Sequence, residues 1–157
     1  MYSLEDLAAD VATHGWIVMK VANDKGPEFA YSIGLFHTFG HPEVIMFGLA
    51  PEVMHHLIND AGALIRGGKV FSAGELSSEF LEGFDVTFRR VPEFQYDGHF
   101  GWATSFYREL KFPALQIVYP DRLARWPWHD GVDAGFLERQ PVLSDISEPP
   151  WASRPAI

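Results

Sequence analysis

Apolar residues recur at the three- and four-residue spacing of an amphipathic helix in three stretches of the chain. Ser3 can cap the first helix, and the pair His14-Gly15 places a glycine where a helix can end. Pro51 suits the start of the second helix, because its missing N–H would have no partner there. The predicted helices span Ser3–Gly15, Pro51–Gly68 and Gly98–Leu110, with a shorter helical turn at Ala134–Glu138.

Other stretches carry the two-residue alternation or the short apolar runs that are typical of β-strands. Apolar and polar side chains alternate from Phe84 to Val91, which predicts a half-buried strand. Asn23–Gly26 has the composition of a turn and predicts a hairpin. Glu43–Leu49 is apolar on both faces, so we expect a central strand that is covered on both sides. The predicted strands are Trp16–Ala22, Glu28–Phe36, Glu43–Leu49, Phe84–Val91 and Ala114–Tyr119.

Helices and strands follow one another without strict strand–helix–strand alternation. We therefore predict the α+β class, with a mainly antiparallel β-sheet and about three packed helices. A chain of this length is typical of one domain, which we place at residues 1–143. Residues 144–157 are rich in proline and show little periodicity, so an extended tail is predicted there.

The composition narrows the classes of partner. The 157-residue chain has a formal net charge of −9, which opposes binding to the phosphate backbone of nucleic acids. It has no run of about 18 apolar residues, so no membrane span is expected. Cysteine is absent, and the acidic N-terminal segment lacks the features of a secretion signal. We expect a cytoplasmic protein with neither a nucleic-acid nor a membrane partner.

Two histidines and a carboxylate lie close together in the segment HTFGHPE, residues 37–43. Imidazole and carboxylate groups can hold a metal ion, which makes His37, His41 and Glu43 a candidate set. A zinc-protease motif, however, needs both histidines on one helix with a glutamate beside the first, and the glycine and proline here disfavour a helix. The segment is therefore a metal site, a substrate-binding loop or a loop whose imidazoles bind nearby backbone. We assign no metal ligand.

A second set of polar and aromatic residues follows the predicted strand Ala114–Tyr119. Loops at strand ends commonly carry functional residues, and this one contains Asp121 and His129. Trp126 and Trp128 form either a stacking wall for a planar ligand or a lid over the edge of the core. The chain has no nucleotide-binding glycine motif and no nucleophile motif, so the sequence identifies no reaction and no cofactor.

Several separated motifs resemble those of a bacterial family, the domain of unknown function 4262. The N-terminal motifs are Gly15-Trp16, Phe29–Leu35 (FAYSIGL), Gly40–Glu43 (GHPE) and Phe47–Leu49 (FGL). The C-terminal motifs are Leu115–Asp121 (LQIVYPD), Trp126–Trp128 (WPW) and Gln140-Pro141. The resemblance covers residues 14–143 and implies membership of that family. It implies no particular activity, substrate or cofactor.

These observations favour a small-molecule or peptide binding module. We expect its pocket to lie between the His37–His41 loop and the Asp121–His129 loop, because both hold polar groups at strand ends. The residues predicted to bind the ligand are Tyr31, Ser32, His37, His41, Gln116, Asp121, Trp126, Trp128 and His129.

Two other functions stay open at the level of sequence. One is a metal-assisted hydrolase that uses His37 and His41 with Glu43 or Asp121. The other is a protein-interaction component, for which Pro149-Pro150-Trp151 in the tail is a candidate contact. The sequence indicates neither an oligomeric state nor whether the protein is an enzyme.

Overall fold

The computed structural model of the chain describes residues 1–144. The predicted tail, including Pro149-Pro150-Trp151, lies outside the described residues except for Ser144. The strands in the described part are β1 Ile17–Val21, β2 Phe29–Ile33, β3 Glu43–Phe47, β4 Leu76–Leu81, β5 Phe84–Arg90 and β6 Ala114–Val118. The helices there are α1 Leu4–His14, α2 Leu35–Phe39, α3 Pro51–Arg66, α4 Tyr96–His99, α5 Gly101–Tyr107 and α6 Ala134–Arg139, with a 3₁₀ helix at Glu93–Gln95.

The six strands of residues 1–144 form one sheet in the order β1-β2-β3-β6-β5-β4. β3 and β6 are parallel, whereas the other neighbouring strands are antiparallel. The α+β class is therefore confirmed, although the sheet is mixed. The same part of the chain has six α-helices instead of about three. α2 and α4 were missed because helices of five and four residues are too short to show a 3.6-residue period.

The sheet is covered on both faces. On β3, Val44 and Met46 pack with the buried residues of α3, whereas Ile45 and Phe47 pack on the opposite face with α1 and α5. Every residue of β3 is buried, as expected for the central strand predicted at Glu43–Leu49. No helix in residues 1–144 has the length and apolar character needed to cross a membrane.

Two predicted elements end or break where the backbone changes direction. The strand predicted to reach Phe36 ends earlier, because Gly34 adopts φ +119°, a conformation that favours glycine. The chain then enters α2 at Leu35, so this helix takes the last two residues of the predicted strand and the first three of the predicted His37–His41 loop. The helix predicted at Gly98–Leu110 contains α5 but only the last two residues of α4, and the break between them lies at the buried Phe100, whose backbone leaves the helical region.

The edge strand β4 lies in a segment, Val70–Gly83, whose pattern predicted no element. Its buried residues are Ser77 and Phe80, and the pairing with β5 shifts register between Ser77 and Leu81. An edge strand whose register shifts does not keep the regular alternation of a half-buried strand. The local sequence therefore carries little signal for it.

The position of β3 leads to a prediction about hydrogen exchange. The amides of Val44–Phe47 should exchange among the slowest in the protein, because β3 is paired on both sides and buried on both faces. Amides of the edge strands β1 and β4 should exchange faster. Residue-resolved exchange by NMR measures both, and β3 amides that exchange as fast as those of β4 would contradict the assignment.

Candidate functional site

Glu43, the first residue of β3, has a fully buried side chain. Its carboxylate accepts a hydrogen bond of 2.6 Å from the Ser32 hydroxyl and another from the Tyr107 hydroxyl. The backbone N–H groups of residues 34–36, at the start of α2, donate to it at 2.9 to 3.3 Å. A carboxylate has about four lone-pair positions, so these five donors occupy it fully.

The two hydroxyl groups are oriented by further hydrogen bonds. Ser32 Oγ accepts the backbone N–H of Val44 at 2.9 Å, and the Tyr107 hydroxyl oxygen accepts that of His37 at 3.1 Å. Both hydroxyl protons are therefore directed to Glu43. Burial raises the pKa of Glu43, while the hydrogen bonds that it accepts act in the opposite direction. Burial and the nearby Glu43 charge raise the pKa of Tyr107.

His41 is also held by the backbone. Its side chain is buried, Nδ1 lies 2.8 Å from the Pro42 carbonyl oxygen, and Nε2 lies 2.9 Å from the Phe71 amide nitrogen. Because the Phe71 N–H donates to Nε2, the ring must carry its proton on Nδ1. Burial lowers the pKa of His41. His37, in contrast, is exposed and packs edge-on to the Phe106 ring at 5.6 Å.

The residues of the hydrolase hypothesis do not form a metal centre in residues 1–144. His41 and Glu43 use their polar atoms within the fold, whereas His37 is exposed. In the same residues, no group of three or more His, Asp and Glu side chains is arranged to hold a metal ion.

Tyr31 and Gln116 are buried and engaged by internal partners as well. The Trp102 backbone N–H donates to the Tyr31 hydroxyl at 3.2 Å. The Gln116 amide donates to the Pro141 carbonyl at 2.8 Å and accepts the Leu143 N–H at 2.9 Å. Gln116 thus fixes residues 141–143 to β6, and Tyr31 ties β2 to α5.

The Asp121–His129 loop is stabilised within itself. Asp121 accepts hydrogen bonds from the Leu123 and Arg125 backbone amides, each at 2.9 Å, and from Arg125 Nε at 2.8 Å. The Trp126 N–H donates to His129 Nδ1 at 3.1 Å. These contacts hold the loop in one defined conformation.

The two tryptophans of this loop stack on each other. Their rings lie 5.7 Å apart with an interplanar angle of 14°. The guanidinium carbon of the buried Arg89 lies 4.8 Å from the Trp128 ring centroid. Trp128 therefore covers a buried cation, which fits the lid interpretation, while Trp126 borders a second cleft of about 430 Å³.

The pocket predicted between the two loops is not formed. β3 and β6 are parallel, with Glu43 opposite Ala114. The His37–His41 segment precedes β3, whereas the Asp121–His129 loop follows β6, so the two leave opposite ends of the parallel pair. They are separated along the sheet by a strand of five residues, about 17 Å. This part of the prediction is wrong, because the sequence did not reveal that β3 and β6 run in the same direction.

A cleft of about 490 Å³ opens instead at the carboxyl ends of β3 and β6. Of the predicted ligand-binding residues, Asp121 alone lines it. Its apolar lining consists of Leu49, Leu81, Phe84, Tyr119, Pro120, Leu123 and Phe136. Its charged lining consists of Asp121, Asp133, Arg122, Arg125 and Arg139, beside Gly48. The cleft could be located only from the order of the strands, because it lies where the parallel strands β3 and β6 end side by side. The sequence alone did not predict that order.

One wall of the cleft is α6, which is attached closely to the end of the sheet. The buried Gln140 side chain accepts the Tyr119 N–H at 3.0 Å and donates to the Tyr119 carbonyl at 2.9 Å. Gly48, at φ +85°, lies so near α6 that a Cβ atom there would stand 2.4 Å from the Arg139 carbonyl oxygen. The cleft therefore has a fixed wall.

His41 provides a prediction about pH. Because its pKa in the folded state is lowered from the ordinary 6.5, the unfolded chain binds the proton more readily. The free energy of unfolding should therefore decrease as the pH falls below 6.5 towards the folded-state pKa. Urea unfolding from about pH 7.5 to about pH 5 measures the change, and ¹⁵N shifts of the His41 ring report its protonation. A His41 ring that takes up its proton at or above pH 6.5 would contradict the prediction.

Comparison with known proteins agrees with the resemblance seen in the sequence. No curated protein and no solved structure shows significant similarity to the chain. The family model for the domain of unknown function DUF4262 matches residues 10–133, which include α2, the whole sheet and most of the cleft lining. The chain therefore belongs to the DUF4262 family.

Proposed function

We propose that this protein binds a small molecule in the cleft at the carboxyl ends of β3 and β6. The observation that carries the proposal is the cleft itself, whose volume of about 490 Å³ is within the common range for small-molecule sites. It combines an apolar lining with a few charged groups, which is the usual composition of such sites. Ligands of open sheets with parallel strands also bind beyond the carboxyl ends of those strands.

The side chains around the cleft favour binding over bond-breaking chemistry. Among the described residues that line it, none is Ser, Thr, His or Lys. The Tyr119 hydroxyl donates to the Phe47 carbonyl at 2.8 Å, and burial raises its pKa to about 12. Asp121 is held by Arg125, and Asp133 caps α6 by accepting the Gly135 N–H at 2.9 Å.

The alternative functions receive less support from these observations. The hydrolase hypothesis uses His37 and His41 with Glu43 or Asp121. His41 and both carboxylates are occupied by internal hydrogen bonds, whereas His37 is exposed. The candidate contact of the protein-interaction hypothesis lies outside the described residues. A cytoplasmic location and a lack of nucleic-acid partners belong to our proposal, and the net charge of −9 supports the second.

A fragment screen by NMR tests the proposal. With ¹³C-labelled leucine methyl groups, a diverse library of small organic compounds should give hits that shift Leu49, Leu81 and Leu123 together. Leu123→Trp adds bulk at the rim and should weaken those hits by about tenfold or more.

Leu110→Trp is the matched control, because Leu110 has 59% of its surface exposed, against 71% for Leu123, and lies outside the cleft. It should leave the hits unchanged. A library that gives no hits, or hits whose shifts concentrate elsewhere, would overturn the proposal.

A further inference from the structure

We infer that the ligand of this cleft is a small organic acid with an apolar body and an anionic carboxylate or phosphate group. The inference rests on the proposed function of the cleft and adds the chemical class of the ligand. It starts from a contrast in charge, because three arginines line one cleft of a chain whose net charge is −9.

Not all of the five charged groups in the cleft are available to a ligand. Asp121 and Arg125 form an ion pair with a distance of 2.8 Å between Oδ2 and Nε, so their charges largely cancel. Asp133 directs a carboxylate oxygen to the Gly135 N–H at the start of α6. Three arginines and two aspartates leave the cleft with one excess positive charge.

Arg122 and Arg139 supply the cationic groups that a ligand can reach. Both side chains are exposed, and within residues 1–144 neither has a carboxylate at ion-pair distance. A guanidinium group presents a planar fork of N–H donors that matches a carboxylate or a phosphate. These two arginines therefore favour an anionic group and disfavour a cationic one.

The apolar residues of the cleft are the reason for assigning an apolar body to the ligand. Leu49, Phe84 and Leu123 offer apolar surface in the same cleft as the arginines. Burying an apolar group there adds affinity in proportion to the surface removed from water. The volume of about 490 Å³ limits the ligand to a small molecule, which disfavours a polyanion such as a nucleic acid.

Three probes of matched shape test the inference on the unaltered protein. 3-Phenylpropionate, 3-phenylpropan-1-ol and 3-phenylpropylamine share a phenyl ring and chain length but differ in the charge of the head group. We expect 3-phenylpropionate to shift the Leu49 and Leu81 methyl groups with about tenfold higher affinity than the alcohol, and the amine to bind most weakly. Phenyl phosphate, titrated in parallel, distinguishes a preference for phosphate from one for carboxylate.

Single substitutions then identify the residues that bind the anionic group of the probe. Arg122→Gln and Arg139→Gln should each weaken 3-phenylpropionate about fivefold to tenfold and leave the alcohol unchanged. Arg90→Gln makes the same change of charge at an exposed residue opposite Leu115, near the amino end of β6, and should have no effect. The preference for the acid should also decrease with added salt.

The outcomes separate this inference from the proposed function. Equal affinity for the acid and the alcohol would overturn the acid class and leave small-molecule binding intact. Library hits in the cleft together with no binding of any charged probe would also overturn the acid class and leave small-molecule binding intact. No binding by either the library or the probes would overturn both.

Discussion

A carboxylate that is removed from water must receive hydrogen bonds from the protein, and at Glu43 this requirement joins four elements. Glu43 begins β3, Ser32 belongs to β2, the donating amides belong to the start of α2, and Tyr107 ends α5. An uncompensated buried charge costs several kcal/mol, so the four elements must assemble together. The short helix α2 depends most on this contact, because five residues cannot form a stable helix alone.

The polar residues of the family motifs divide between two ends of the parallel strands. At the amino end, Ser32, His41 and Glu43 are buried and use their polar atoms on one another and on the backbone. At the carboxyl end, the Gln140 side chain fixes α6 to the end of β6 by hydrogen bonds to the Tyr119 backbone. The space between α6 and the ends of the strands stays open as the cleft. One end of the sheet is thus closed by hydrogen bonds, and the other offers a surface for a ligand.

Local patterns were sufficient for the elements that are long or fully buried. The apolar run of β3 and the stripe of α3 each follow from the sequence, and so does the position of β5. The half-buried character predicted for β5 is wrong, because Thr87 and Arg89 on its polar face are buried as well. α2, α4 and β4 do not, because the two helices are shorter than two helical turns and β4 is an edge strand whose register shifts. The candidate site was harder to predict. The parallel pairing of β3 with β6 is a long-range contact, and the sequence alone did not show that Tyr31, Ser32, His41 and Gln116 point into the protein.

The most direct test of this account is the free energy of unfolding of the Glu43→Gln variant, measured by urea denaturation. The amide keeps the shape of the side chain but turns N–H groups towards N–H and O–H donors, so we expect a loss of about 2–4 kcal/mol or no cooperative transition at all. Glu109→Gln makes the same chemical change at an exposed residue and should stay within about 0.5 kcal/mol of the unaltered protein. A Glu43→Gln variant as stable as the Glu109→Gln control would contradict the central role of the buried carboxylate.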